Sequence, residues 1–156
     1  VVDNRPDLTK VNELFARILE LGKYDIAVGV PASKSARGDE SELNNAQIAA
    51  VNELGSTDGR IPERSFIRST LTENRNKYAR MMGQVARRVS EGQDAPGIAL
   101  HRVGFIISAD VKHKIATGPF IPNAPSTIKR KKSNKPLIDK GQLVQSIDHV
   151  IKKRGA

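Results

Sequence analysis

The chain has 156 residues, with 38% hydrophobic, 28% charged and 4% aromatic residues, which fits one ordinary soluble domain with a modest core. Twenty-six Lys and Arg against seventeen Asp and Glu give a net charge of +9, so anionic surfaces attract it, nucleic acid or an acidic protein above all. The absence of cysteine excludes disulfides, thiolate metal sites and thiol nucleophiles, and no apolar run approaches the roughly 20 residues that span a bilayer.

The opening residues contain neither a basic n-region nor an apolar h-region, so no secretion signal is expected, and the missing initiator Met suggests trimming or a partial chain. From Leu8 to Leu21, apolar residues recur at three- and four-residue steps (Leu8, Val11, Leu14, Phe15, Ile18, Leu21), which predicts an amphipathic helix with Asp7 as N-cap and Gly22 as C′. Tyr24, Ile26, Val28 and Val30 then alternate with Asp25, Ala27 and Gly29, the period of a half-buried strand that Pro31 ends. Residues 31–42 have no period and read as a long exposed loop whose Asp39, Glu40 and Glu42 lack the ligand pattern of a calcium site. Asn44 is placed to cap a short helix through Ile48, Val51 and Leu54, closed by Gly55 and a turn at residues 56–59.

Beyond Pro62 one long helix is expected up to Gly92, with Phe66, Ile67, Leu71, Tyr78, Met82, Val85 and Val89 on one face. A further helix from about Pro96 to Ala116 places Val103, Ile106, Ile107, Val111 and Ile115 together and stops at Gly118-Pro119. Three prolines between Pro119 and Pro125 predict an extended arm over the surface. Residues 142–146 allow one helical turn, and 147–153 are β-branched enough to return as a strand. The sum is an α+β fold: a small antiparallel sheet packed with about four helices, 31–42 and 118–136 as extended segments, and 152–156 as a basic tail. Because a sheet of one or two strands is barely viable alone, a third strand or completion by a neighbour is expected.

No chemistry emerges from spacing. His101 and His113 stand twelve residues apart on one predicted helix, too far to share a metal, and His149 has no local partner; no phosphate-binding glycine loop is present. Neither catalytic, metal nor cofactor residues are therefore expected, and the chain reads as a non-enzyme. Charge is uneven: residues 1–60 hold seven Lys/Arg against ten Asp/Glu, and all the positive excess lies beyond them, densest at Lys129-Arg130-Lys131-Lys132, a run expected to be mobile when unbound. Such a run either neutralises phosphates or carboxylates or is a solvated tail.

Two stretches carry more than composition. One is Asn52-Glu53-Leu54-Gly55 followed by Ile61-Pro62-Glu63-Arg64-Ser65-Phe66-Ile67-Arg68; the other leads from Ala124 through Pro136-Leu137-Ile138-Asp139-Lys140-Gly141 to Ser146-Ile147. Together they resemble the tail-completion and virion-morphogenesis proteins of tailed bacteriophages, the neck or head–tail joining family, over about residues 44 to 150. Leu54, Ser65 and Lys140 depart from that family's usual Phe, Pro and Thr. The resemblance implies a structural virion protein that forms a ring, sixfold or twelvefold, at the neck or tail end and joins or completes the tail. Its implied partners are copies of itself, neighbouring neck proteins, a tail terminator or tail tube, or a portal-adaptor ring, with nonspecific contact to channel DNA and none to membrane. Its implied location is the virion, after assembly in the host cytoplasm. Candidate interface residues are Ile61, Pro62, Arg64, Phe66, Arg68, Pro119, Phe120, Ile121, Pro122, Lys129, Arg130, Lys131, Lys132, Leu137 and Ile138; for Phe66 and Ile67 a place in the core is the favoured alternative. The alternative is a small module that binds nucleic acid without sequence preference.

Overall fold

The computed structural model describes residues 8–38, 42–131 and 134–155. Helix α1 (Thr9–Leu21) leads into strand β1 (Tyr24–Gly29) and a 3₁₀ turn at Ala32–Lys34. Helices α2 (Asn45–Leu54), α3 (Ile67–Glu73), α4 (Arg75–Ser90) and α5 (Pro96–Thr117) follow, then α6 (Pro125–Lys131), α7 (Gln142–Ser146) and strand β2 (Asp148–Lys153). The fold is α+β, with two antiparallel strands among the described residues, paired from Tyr24 with Lys153 to Gly29 with Asp148.

Three features of this architecture differ from expectation. The segment after Pro62 forms two helices, because Asn74 leaves helical geometry (φ −100°, ψ 12°) and its Nδ2 donates to the Thr70 carbonyl at 3.0 Å. This leaves α5, at 22 residues, as the longer helix. The Pro-rich arm is extended only to Ala124; Pro125 then starts α6, which takes Lys129, Arg130 and Lys131 into its last turn, where exposed carbonyls favour cations. Lys132 lies outside the described residues, as does the expected N-cap Asp7. Gly22 ends α1 with right-handed φ of −67°, so no left-handed cap is used there.

The sheet is held by α5 rather than by a third strand. Val28 and His149 are cross-strand partners, and His149 lies against Gly104 of α5 so closely that a Cβ at residue 104 would overlap the imidazole. Glycine is required there for close approach, and β2 seats directly on the helix. Lys34 Nζ pairs with Asp148 at 2.6 Å and fastens the 3₁₀ turn to the same strand. The loop after it is tied down by buried Asn45, whose backbone N–H donates to the Ser35 carbonyl at 2.8 Å and whose side chain donates to the Ala36 carbonyl at 3.1 Å.

Two apolar clusters flank the sheet. Phe66, Val111, Ile115, Leu137, Leu143 and Ile147 form one; Tyr78, Val85, Val89, Ala99, Val103 and Ile107 form the other, and Val28 packs against both. Helix α5 contributes to each, which is why its buried residues run nearly its whole length. Ile106 and Leu71, expected on core faces, are instead exposed at the edges of their helices. Phe66 has no exposed surface, so Phe66→Ala should cost about 3–5 kcal/mol of unfolding free energy, measured by urea denaturation of the isolated chain.

Candidate functional site

The motif residues at 52–68 build an internal joint. Helix α2 begins with a reciprocal capping box between Asn44 and Gln47 and ends at Gly55, whose φ of +78° and contacts with the backbone of Ile61 and Glu63 leave no room for a side chain. That turn brings the α2 C-terminus beside the chain entering α3. The Glu53 carboxylate, 7% exposed as a residue, accepts hydrogen bonds from the backbone N–H groups of Phe66 (2.7 Å), Ile67 (2.8 Å) and Arg68 (2.9 Å). Ser65 Oγ donates to it at 2.8 Å and Arg68 Nε at 3.1 Å. A carboxylate from one helix thus satisfies the orphan donors at the start of the next. Ser65, where the resembled family has Pro, supplies an added donor.

Asn52 performs the matching task for Arg64. Its carbonyl accepts from the Arg64 N–H at 2.7 Å, and its Oδ1 accepts from Nη1 at 3.2 Å. The rest of the guanidinium reaches the arm: Nε donates to the Ile121 carbonyl at 2.8 Å, and Nη2 to the Pro122 carbonyl and Asn123 Oδ1, both at 3.2 Å. Proline-rich chain cannot join a ladder through its missing N–H groups, but its carbonyls remain acceptors, and Arg64 uses them to hold the arm. Arg64 is 5% exposed and all these acceptors are neutral; burial lowers its pKa while the guanidinium stays charged.

The arm, α2, α6 and the loop before α7 enclose a groove of about 1080 Å³. Six cations line it (Arg37, Arg60, Arg64, Arg130, Lys131, Lys140) against Asp58 and Asp139, and its apolar wall is made of residues such as Ile48, Val51 and Leu137. Burial pushes the Lys131 ammonium below its ordinary pKa, and the charges of Arg64, Arg130 and Arg37 add to this against the opposing pull of Asp139.

Two further exposed apolar surfaces lie on α1 and on α5. No residue of α1 is buried, and its apolar side chains, Phe15 at 58% and Leu19 at 68% exposed among them, are only partly covered by α4. On α5, Phe105 is 69% exposed beside Ile98 and Ile106. The same patch includes His101 and His149, whose Nδ1 and Nε2 lie 3.0 Å apart. His149 Nδ1 is 3.2 Å from Asp148 Oδ1, but the alignment is not that of a hydrogen bond. The histidine pair joins residues 48 apart in sequence, and no motif announces it.

Of the residues expected to reach a partner, the fold takes Arg64, Phe66 and Leu137 into its interior, where each is at most 5% exposed. Phe66 and Leu137 belong to the core cluster against which half-buried Phe120 and Ile138 pack. They serve the monomer because the Glu53 joint and Arg64 turn their segments inward. Arg68, though exposed, is bound to Glu53 and to Glu63 at 2.6 Å. Ile61, Pro119, Ile121, Pro122, Lys129 and Arg130 are exposed; Pro62 and Lys131 are half-buried. Sequence reasoning missed Phe105; its signal was an aromatic residue off the apolar stripe of its helix. Comparison with protein-family models, curated proteins and solved structures finds no match to this chain.

Removing the Glu53 carboxylate leaves buried Phe66 N–H and the first turn of α3 without acceptors, so Glu53→Ala should destabilise by roughly 3 kcal/mol. Burial of Glu53 raises its pKa, but the backbone N–H groups of Ile67 and Arg68, the Ser65 hydroxyl and the Phe66 N–H outweigh it, so the net shift is downward. A lowered folded pKa contributes stability that is fully present above about 4.3, the unfolded value, and is lost as pH falls through the folded value. Urea titrations of wild type and Glu53→Gln across acidic pH should show the wild-type advantage shrinking over that window.

Proposed function

We propose that this chain is a structural virion protein that assembles as a ring at the neck or tail end and joins or completes the tail for attachment to the head. The observation that carries this reading is the exposed apolar side chains of α1 and, separately, those of α5. Phe15 and Phe105 are two of only four phenylalanines in the chain, and both stand largely in solvent. Exposed aromatic and aliphatic residues grouped in this way mark surfaces that another polypeptide covers.

The motif resemblance at residues 52–68 and 136–147 supports the same reading, since those residues fix the arm and the groove around it. A cyclic ring needs two different faces on each subunit, and the apolar faces of α1 and α5 differ in chemistry from the cationic arm side, as a heterologous contact requires. Sixfold or twelvefold closure is part of the proposal on the strength of the resemblance alone. Nothing in the reading calls for turnover of a substrate; the work is done by fit.

Labelled protein should appear at the neck or tail end of completed particles in electron micrographs. A monomer absent from particles that binds DNA with a steep salt dependence would replace this reading with the nucleic-acid module. Phe15→Glu combined with Phe105→Glu should leave the unfolding free energy of the monomer, measured in urea, within about 0.5 kcal/mol of wild type while abolishing ring formation in analytical ultracentrifugation.

A further inference from the structure

We propose that the groove between α2, α6 and the arm is a docking site for an acidic, partly apolar peptide segment of a neighbouring protein. Four of its lining cations, Arg64, Arg130, Lys131 and Lys140, have no ion-pair partner among the described residues, whereas Arg60 pairs with Asp58 at 3.3 Å. Arg130 and Lys140 are exposed and can meet a ligand directly, whereas buried Arg64, its three nitrogens already donating to carbonyl and amide oxygens, contributes only its charge, with no counter-ion among the described residues. An arriving carboxylate gains charge-assisted hydrogen bonds and relieves the repulsion among these cations.

The walls decide between classes of anion. Ile48, Val51, Ile61, Leu137 and Leu143 line the same groove, and no aromatic residue does. A sugar-phosphate backbone brings nothing apolar to cover such a wall, and unstacked bases find no ring to stack on. A peptide alternating carboxylate and aliphatic side chains meets both the cations and the wall. At about 1080 Å³ the groove sits at or beyond the upper end of the roughly 300–1,000 Å³ usual for small-molecule sites, as an extended segment requires. Lys131 Nζ, donating to the Pro136 carbonyl at 3.3 Å, holds α6 against the loop that forms the far rim. The source of the segment, a neighbouring subunit of the particle, rests on the assembly reading above; the chemistry of the groove does not.

The test is fluorescence anisotropy on the full chain with a labelled heptapeptide Glu-Leu-Glu-Glu-Leu-Glu-Glu, its Gln-for-Glu counterpart and a labelled twenty-nucleotide oligo-dT. The acidic peptide should bind at least tenfold more tightly than the Gln peptide and more tightly than oligo-dT at physiological salt. Arg130→Gln combined with Lys140→Gln, two exposed positions, should weaken it at least tenfold with an unchanged thermal melt. Equal binding of both peptides, an unaffected double variant, or tighter binding of oligo-dT that the double variant abolishes would each overturn the proposal. Loss of peptide binding as an explanation would leave the protein's presence in particles intact, whereas peptide binding by a protein absent from particles would sink the assembly reading and spare the groove.

Discussion

A carboxylate placed against three successive backbone N–H groups is the constraint around which this fold is arranged. Glu53 sits near the end of α2 and accepts from Phe66, Ile67 and Arg68, so the angle between α2 and α3 is set by the reach of one side chain. With that angle fixed, Phe66 enters the core and Arg64, two residues earlier, turns to the arm. The arm in turn carries α6 and the cationic face to the rim of the groove. Taking a charge out of water is costly unless its hydrogen bonds are complete. Glu53 meets that condition through five donors from three residues' backbones and two side chains, with the Arg68 guanidinium at its edge.

Arg64 is the complementary case. It too is buried, but its partners are neutral, and its field is therefore not cancelled locally. The contrast between a carboxylate that is fully answered and a guanidinium that is not separates the two tasks of the motif: Glu53 stabilises the chain, while Arg64 both holds the arm and polarises the groove.

Local signals made much of the fold legible in the sequence. Asn44 announced the start of α2, Gly55 its end, and the two-residue alternation from Tyr24 announced β1. What depends on distant partners was not legible. The apolar stripe Val11, Leu14, Phe15, Ile18 is as regular as that of a buried helix, and only the fold shows that nothing among the described residues covers most of it. Periodicity reports a face, not what lies opposite it. Likewise Phe66 within Ile61 to Arg68 reads as core or as contact, the core favoured, until Glu53, in a different helix, is seen to turn it inward. The break at Asn74 and the helix that Pro125 opens each rest on a single residue's backbone preference, too weak a signal to outweigh the surrounding pattern. The meeting of His101 with His149 required knowledge that β2 lies on α5, which Gly104 permits but does not advertise.

The two strands lie far apart in sequence: Arg154 closes against Asp25 across 129 positions. Closing so long a loop is entropically expensive and slow compared with forming the helices between. During synthesis β1 therefore leaves the ribosome with no strand to pair with and waits for nearly the whole chain to follow. A product cut short before Asp148 cannot pair β1 with β2, and α5 is left with a bare flank where His149 should rest. Chain order thus makes completion of the fold wait on β2, since only a chain translated through that strand covers the flank of α5.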